Sequence, residues 1–130
     1  MKIRHVLALA AIGVLAVGAR LPAHHEWPVD RTTPITIHGT VTSFTWANPH
    51  VTIALEVHAD GAVEKWILGA SSPAYMTAGG WDKQTLKPGD VITAIAYRFR
   101  NGSNVAQVQK IVLASGRELY YAAPPRQPTH

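Results

Sequence analysis

Residues 51–68 read VTIALEVHADGAVEKWIL, and this stretch decides the fold class. Apolar residues alternate with polar or small ones from Val51 to Val57, a period of two that is typical of a strand with one buried face. Asp60-Gly61 matches the two-residue loop of a β-hairpin, and residues 63–68 form the return strand. The stretch therefore predicts two antiparallel strands whose alternating apolar side chains face a core.

Similar patterns flank this hairpin on both sides. The other predicted strands cover residues 35–46, 91–99, 105–113 and 117–121. Both faces of the strand over 91–99 are largely apolar, which predicts that it is covered on two sides. Ser71 or Ser72 can cap a short helix that starts at Pro73 and ends at Gly79-Gly80.

The order of these elements predicts the architecture. Three strands, one helix and two further strands follow the order of an OB-fold, with an extra strand at the end. We therefore expect an all-β, OB-like barrel of five or six strands, with one short helix between strands three and four. The barrel domain is predicted to cover residues 24–121, and a flexible, proline-rich tail is predicted for residues 122–130.

Residues 1–23 predict a secretory signal peptide. Lys2 and Arg4 give a positive start, and an uncharged run of 14 residues, Val6–Ala19, follows them. As a helix this run would measure about 21 Å, short of the roughly 30 Å hydrocarbon core that an uncleaved anchor must cross. Cleavage can follow either Ala19 or Ala23. We expect a periplasmic protein with no membrane association after cleavage.

Charge and cysteine content exclude several classes of protein. The chain has 12 basic and 8 acidic residues, but three of the basic ones lie within residues 1–23, which leaves nine against eight. This balance predicts that the chain has no nucleic-acid partner. The chain has no cysteine, so disulfides, thiolate metal sites and cysteine nucleophiles are excluded.

Catalytic motifs are missing from the sequence. It contains no Gly-x-Ser-x-Gly elbow, and its eight carboxylates are scattered without a close pair for acid–base chemistry. We therefore expect a binding protein and not an enzyme.

Histidines provide the first functional hypothesis. His24 and His25 open the predicted mature chain, and His50 follows Asn48-Pro49 at a predicted turn. After cleavage at Ala23, the free amine and Nδ1 of His24 can chelate one ion. A third nitrogen from His25 or His50 would favour Cu(II). The predicted site is thus His24, His25 and His50 with copper or another divalent metal. The alternative is a solvated His-His start without a function.

Tryptophans provide the second hypothesis. Trp46, Trp66 and Trp81 can close the ends of a small barrel, or they can form a stacking surface for a ligand. In the second case the protein is a metal-free module that binds a periplasmic partner protein or a small ligand through its tryptophan-lined loops.

Several short motifs together resemble a family of small exported bacterial proteins of unknown function. They are Ala23-His24-His25, Trp46-Ala47-Asn48-Pro49-His50, Leu86-Lys87-Pro88-Gly89-Asp90 and Gly102-Ser103-Asn104. The resemblance covers residues 23–121. It implies a secreted β-barrel that is cleaved before His24, and it implies no activity. Glu26-Trp27 stands where the family usually has Ser-Phe.

Overall fold

The computed structural model describes residues 26–121. Its elements are β1 (Ile35–Thr45), β2 (Thr52–Ala59), β3 (Ala62–Gly69), α1 (Pro73–Ala78), β4 (Val91–Arg98), β5 (Val105–Leu113) and β6 (Glu118–Tyr120). The predicted signal peptide, the predicted tail, His24 and His25 lie outside the described residues. Within residues 26–121, no helix has the length and apolar character needed to span a membrane.

The strands close into a barrel. β1, β2 and β3 form an antiparallel meander, and β4 pairs antiparallel with both β1 and β5. A parallel pairing of Ile67–Gly69 with Val105–Gln107 joins β3 to β5 and completes the ring. β6 adds antiparallel to β5. The prediction of an all-β, OB-like barrel with one short helix between the third and fourth strands is confirmed.

Local sequence explains the tight hairpin between β2 and β3. Asp60 and Gly61 have φ angles of 50° and 78°, and their neighbours Ala59 and Ala62 pair across the strands. Two consecutive positive φ angles are what a two-residue hairpin loop of type I′ requires, and Asp-Gly tolerates them well. The predicted position of this turn is therefore correct.

Helix α1 begins and ends where its capping residues predict. The Ser72 hydroxyl accepts a hydrogen bond from the N–H of Tyr75 at 3.4 Å, and Pro73 occupies the first turn. Gly79 ends the helix, and Met76 is its buried residue. The helix thus contributes one apolar side chain to the barrel core.

Burial along β4 differs from the prediction. Ile92, Ala94 and Ala96 are buried on the barrel side, but Val91 on the other side is 42% exposed. No second layer from residues 26–121 covers Val91, so the outer face of β4 is open to solvent at this end. An apolar pattern on both faces was therefore not a sign of double coverage here.

A glycine lies where β1 crosses closest to β2. A Cβ on Gly39 would lie 2.7 Å from the carbonyl oxygen of Glu56 and 3.0 Å from Cγ2 of Val57. Because the first contact is with backbone, Gly39→Ala should shift the strands and destabilise the fold by about 1–3 kcal/mol. Urea denaturation measures this loss. Thr42→Ala, at an exposed position of the same strand, is the control and should stay within about 0.5 kcal/mol. Equal stability of both variants would contradict the close approach.

Candidate functional site

A short segment ahead of β1, residues 27–30, packs against the loop of residues 99–104 that joins β4 to β5. Val29 is buried and forms an antiparallel bridge with Phe99. The N–H of Arg100 donates a hydrogen bond to the carbonyl oxygen of Pro28 at 2.9 Å. The segment is therefore held to the barrel by backbone contacts as well as by side chains.

Asp30 forms the far end of this segment. Its N–H donates to the carbonyl oxygen of Arg98 at 2.9 Å. Its carboxylate accepts hydrogen bonds from the hydroxyl and from the N–H of Thr32, and these bonds lower the pKa of Asp30 below its ordinary value. The carboxylate therefore stays ionised at neutral pH, and it contributes a fixed turn where the segment leads into β1.

Trp27 brings together two loops of the barrel. The centroid of its ring lies 5.0 Å from that of His50, with an interplanar angle of 89°. It lies 5.7 Å from the centroid of the Phe99 ring, with an interplanar angle of 90°. Edge-to-face contacts at such distances are a favourable arrangement of aromatic rings. We refer to Trp27, His50 and Phe99 as the aromatic cluster.

The aromatic cluster includes residues from two loops of the barrel. His50 lies in the β1–β2 loop of residues 46–51, and Phe99 lies in the β4–β5 loop. In OB-folds these two loops border the face of strands two and three at which ligands bind. The aromatic cluster therefore lies at the two loops that border this face of the barrel.

Trp27 lies directly on the backbone of Gly69, the last residue of β3. A Cβ on Gly69 would overlap Cη2 and Cζ3 of Trp27, so only glycine leaves room for the ring. Gln107 of β5 pairs with Gly69 of β3 and is 4% exposed. Its Oε1 accepts no hydrogen bond from residues 26–121.

Of the three predicted metal ligands, His50 is the one that the structure describes. Its side chain is exposed, and it follows a cis peptide bond between Asn48 and Pro49. The described residues contain no group of three or more His, Cys, Asp or Glu side chains placed to hold a metal ion. Residues 26–121 thus contribute one accessible imidazole at the aromatic cluster, and the predicted site depends on His24 and His25.

Two other exposed histidines lie elsewhere on the barrel. His38 on β1 and His58 on β2 line an open groove of about 230 Å³ together with Glu56. Nδ1 of His38 lies 2.9 Å from the hydroxyl oxygen of Thr93. These imidazoles are a second place where a divalent ion could adhere to the surface, so they must be controlled for in any metal titration.

Trp81, a predicted ligand-binding residue, is buried in the core. It is 1% exposed, and its Nε1 donates a hydrogen bond to the carbonyl oxygen of Tyr120 at 2.8 Å. Its ring centroid lies 6.5 Å from that of Phe44. A ring enclosed to this degree has no open face on which a ligand could stack.

The other two predicted tryptophans differ in burial. Trp66 is 7% exposed, donates from Nε1 to Oε2 of Glu64 at 3.0 Å, and has the Arg98 guanidinium 5.1 Å from its ring. Trp46 is half-buried, with its ring centroid 6.0 Å from that of Phe44. Trp46 is therefore the one of the three predicted tryptophans with a partly accessible ring.

Three residues around His50, namely Trp27, Phe99 and Gly69, are missing from the predicted site. Gly69 carried a usable signal, because a glycine that ends a strand of bulky residues indicates that another part of the chain approaches its backbone. Trp27 and Phe99 carried none, since the contacts of Trp27 with His50 and with Phe99 depend on how the barrel closes.

Comparisons with known proteins place the chain as follows. Residues 10–108 match the sequence profile of a family of unknown function, DUF6152. No curated protein matches the chain. Among solved structures, the mitochondrial single-stranded DNA-binding protein Rim1 of S. cerevisiae is similar, with a TM-score of 0.49 and 13% identity over 63% of this chain and 93% of that one. Such a likeness concerns the fold alone.

One prediction about partners is corrected by this comparison. We expected no nucleic-acid partner from the charge balance, but a protein of similar fold is described as a single-stranded DNA-binding protein. The exclusion is therefore wrong. The physical reason is that OB-folds bind single strands partly by stacking bases on aromatic side chains, and the net charge gives no information about such side chains. The likeness assigns no ligand to this chain.

Proposed function

We propose that this chain, which belongs to DUF6152, a family of unknown function, is an exported binding protein that holds Cu(II) through His24, His25 and His50. The observation that carries the proposal is the edge-to-face contact between the rings of Trp27 and His50, whose centroids lie 5.0 Å apart. This contact places an accessible imidazole beside the point where the predicted histidine pair enters the barrel domain. Export through residues 1–23 is part of the proposal, since cleavage creates the amine ligand.

Chain length supports this arrangement. His25 and His24 precede Trp27 by two and three residues. An extended chain advances at most about 3.6 Å per residue, so their Cα atoms can lie no farther than about 7 and 11 Å from that of Trp27. The ring of His50 is itself in contact with Trp27, so the chain length allows all three imidazoles to reach one small region.

The donor set supports copper as the metal. An amine and imidazoles are nitrogen ligands, and three of them suit the square or T-shaped coordination that Cu(II) prefers. The chain has no cysteine, so thiolate ligands for a softer ion are not available. The mature protein acts in this proposal as a binding protein without catalytic activity.

The test is a Cu(II) titration, by calorimetry and electron paramagnetic resonance, of the protein that begins at His24. His50→Ala should weaken binding by about tenfold or more, because one ligand is lost; tenfold corresponds to about 1.4 kcal/mol. A methionine added before His24 should weaken binding similarly, since it separates the free amine from the His24 ring. The mass of the protein recovered from the periplasm gives the natural start of the mature chain.

The matched control is the double variant His38→Ala/His58→Ala, which removes the imidazoles of the open groove. Its affinity should equal that of the parent. If His50→Ala binds Cu(II) as tightly as the parent, the folded site does not exist. The metal-free hypothesis, in which the loop around Trp46 binds a ligand or a partner protein, would then replace it.

A further inference from the structure

We infer that Trp27, packed on the bare backbone of Gly69, is a positioning residue that fixes the start of the barrel domain beside His50. The copper readout of this inference rests on the proposed function. The contact geometry does not depend on a metal, so it can be tested separately.

The ring of Trp27 is held from three sides. Its ring lies on Gly69, where any side chain would overlap it, and it meets His50 and Phe99 edge to face at 5.0 and 5.7 Å. Two residues further along the chain, Val29 is buried against the barrel. The ring is therefore an anchor point for residues 27–30, and it is no freely rotating surface side chain.

Fixing Trp27 also restricts where the residues before it can move. A segment that is fixed at Trp27 explores a smaller volume than one that is fixed only from Pro28 and Val29 onward, where backbone contacts still hold the chain to the barrel. Groups on a short tether act at a high effective concentration toward a neighbouring group, and a longer free segment lowers that concentration. Releasing Trp27 should therefore weaken any ligation that joins the preceding histidines to His50, although Trp27 itself ligates nothing.

One substitution moves the ring of Trp27 without changing the ring itself. Gly69→Ala places a methyl group where Cη2 and Cζ3 of Trp27 lie. This change touches no proposed ligand. Trp27→Ala removes the anchor directly, and Trp27→Phe keeps an aromatic ring on Gly69.

The metal-free experiment observes the ring protons of His50 by NMR. In the parent protein the indole ring, whose centroid lies 5.0 Å from that of His50, should shift these resonances from their ordinary positions. Both Gly69→Ala and Trp27→Ala should return them toward the values of a free imidazole, whereas Trp46→Phe, a change outside the aromatic cluster, should not. Unchanged His50 resonances in both cluster variants would overturn the inference, whatever the protein does with copper.

The copper experiment then asks whether the anchor matters for binding. Gly69→Ala and Trp27→Ala should bind Cu(II) about two- to fivefold more weakly than the parent, and Trp27→Phe should recover most of the affinity, because preorganisation and not ligation is lost. Denaturation midpoints show whether each variant is folded. If Gly69→Ala does not fold, Trp27→Ala alone provides the comparison with the parent. Parent-like affinity in a folded variant with shifted His50 resonances would overturn the positioning role. Failure of His50→Ala to affect binding would instead overturn the proposed function.

Discussion

Trp81→Ala should lose about 3–5 kcal/mol of unfolding free energy, because it empties the space of a large ring inside a small core. Trp81 is 1% exposed and belongs to the same buried cluster as Met76 of α1. A domain of this size has a total stability of about 5–15 kcal/mol, so the variant should lose a third or more of it over most of that range. Urea denaturation followed by circular dichroism measures the loss without depending on tryptophan fluorescence.

Two further variants separate the contributions to this loss. Trp81→Phe keeps most of the ring but leaves the carbonyl oxygen of Tyr120 without its 2.8 Å hydrogen bond, and it should cost about 1–3 kcal/mol. Trp46→Ala removes a half-buried ring and should cost clearly less than Trp81→Ala. If Trp46→Ala lost more unfolding free energy than Trp81→Ala, the placement of Trp81 in the core would be contradicted.

The strands could be predicted from the sequence because each carries its own signal. Alternation over residues 51–57 predicts which side chains face the core, and Asp60-Gly61 by itself predicts the turn. The same reasoning applies to Trp66, since it lies two residues from the buried Leu68 on one strand and so faces inward with it. Trp81 lies in a loop without a period, and its burial could not be predicted.

The surroundings of His50 could not be predicted for a related reason. Trp27, His50, Gly69 and Phe99 are far apart in the sequence, and no local pattern connects them. They meet because β3 pairs with β5 in parallel and because residues 27–30 pack on the β4–β5 loop. These are tertiary events, decided by how the sheet closes. His50 could be identified as a residue at a turn, but its aromatic neighbours follow only from the closed barrel.

The exclusion of nucleic acid failed for a different reason. It used the net charge of the whole domain, which governs long-range attraction to phosphates. Recognition of single strands also uses aromatic rings on the barrel surface, and these leave no mark on the charge balance. In a small barrel with four tryptophans, the exposed fraction of each ring says more about binding than the count of charges.

Leu55→Ala should cost about 2–5 kcal/mol, because it opens a cavity at the centre of the meander. Leu55 is 1% exposed, and β2 holds it between Val41 of β1 and Trp66 of β3. Neighbours on both sides belong to paired strands and cannot collapse freely into the vacated space. The loss should therefore lie well above that of an ordinary surface substitution, and chemical denaturation at neutral pH measures it.

The control lies three residues further along the same strand. His58 is exposed on the outer face of β2, so His58→Ala should change the stability by no more than about 0.5 kcal/mol. The two substitutions shorten side chains in one strand and differ in the face they occupy. A shift of the strand by a single residue would exchange the two faces, so the pair tests the register directly. Equal losses for both variants would show that β2 does not hold the register of Leu55 opposite Val41.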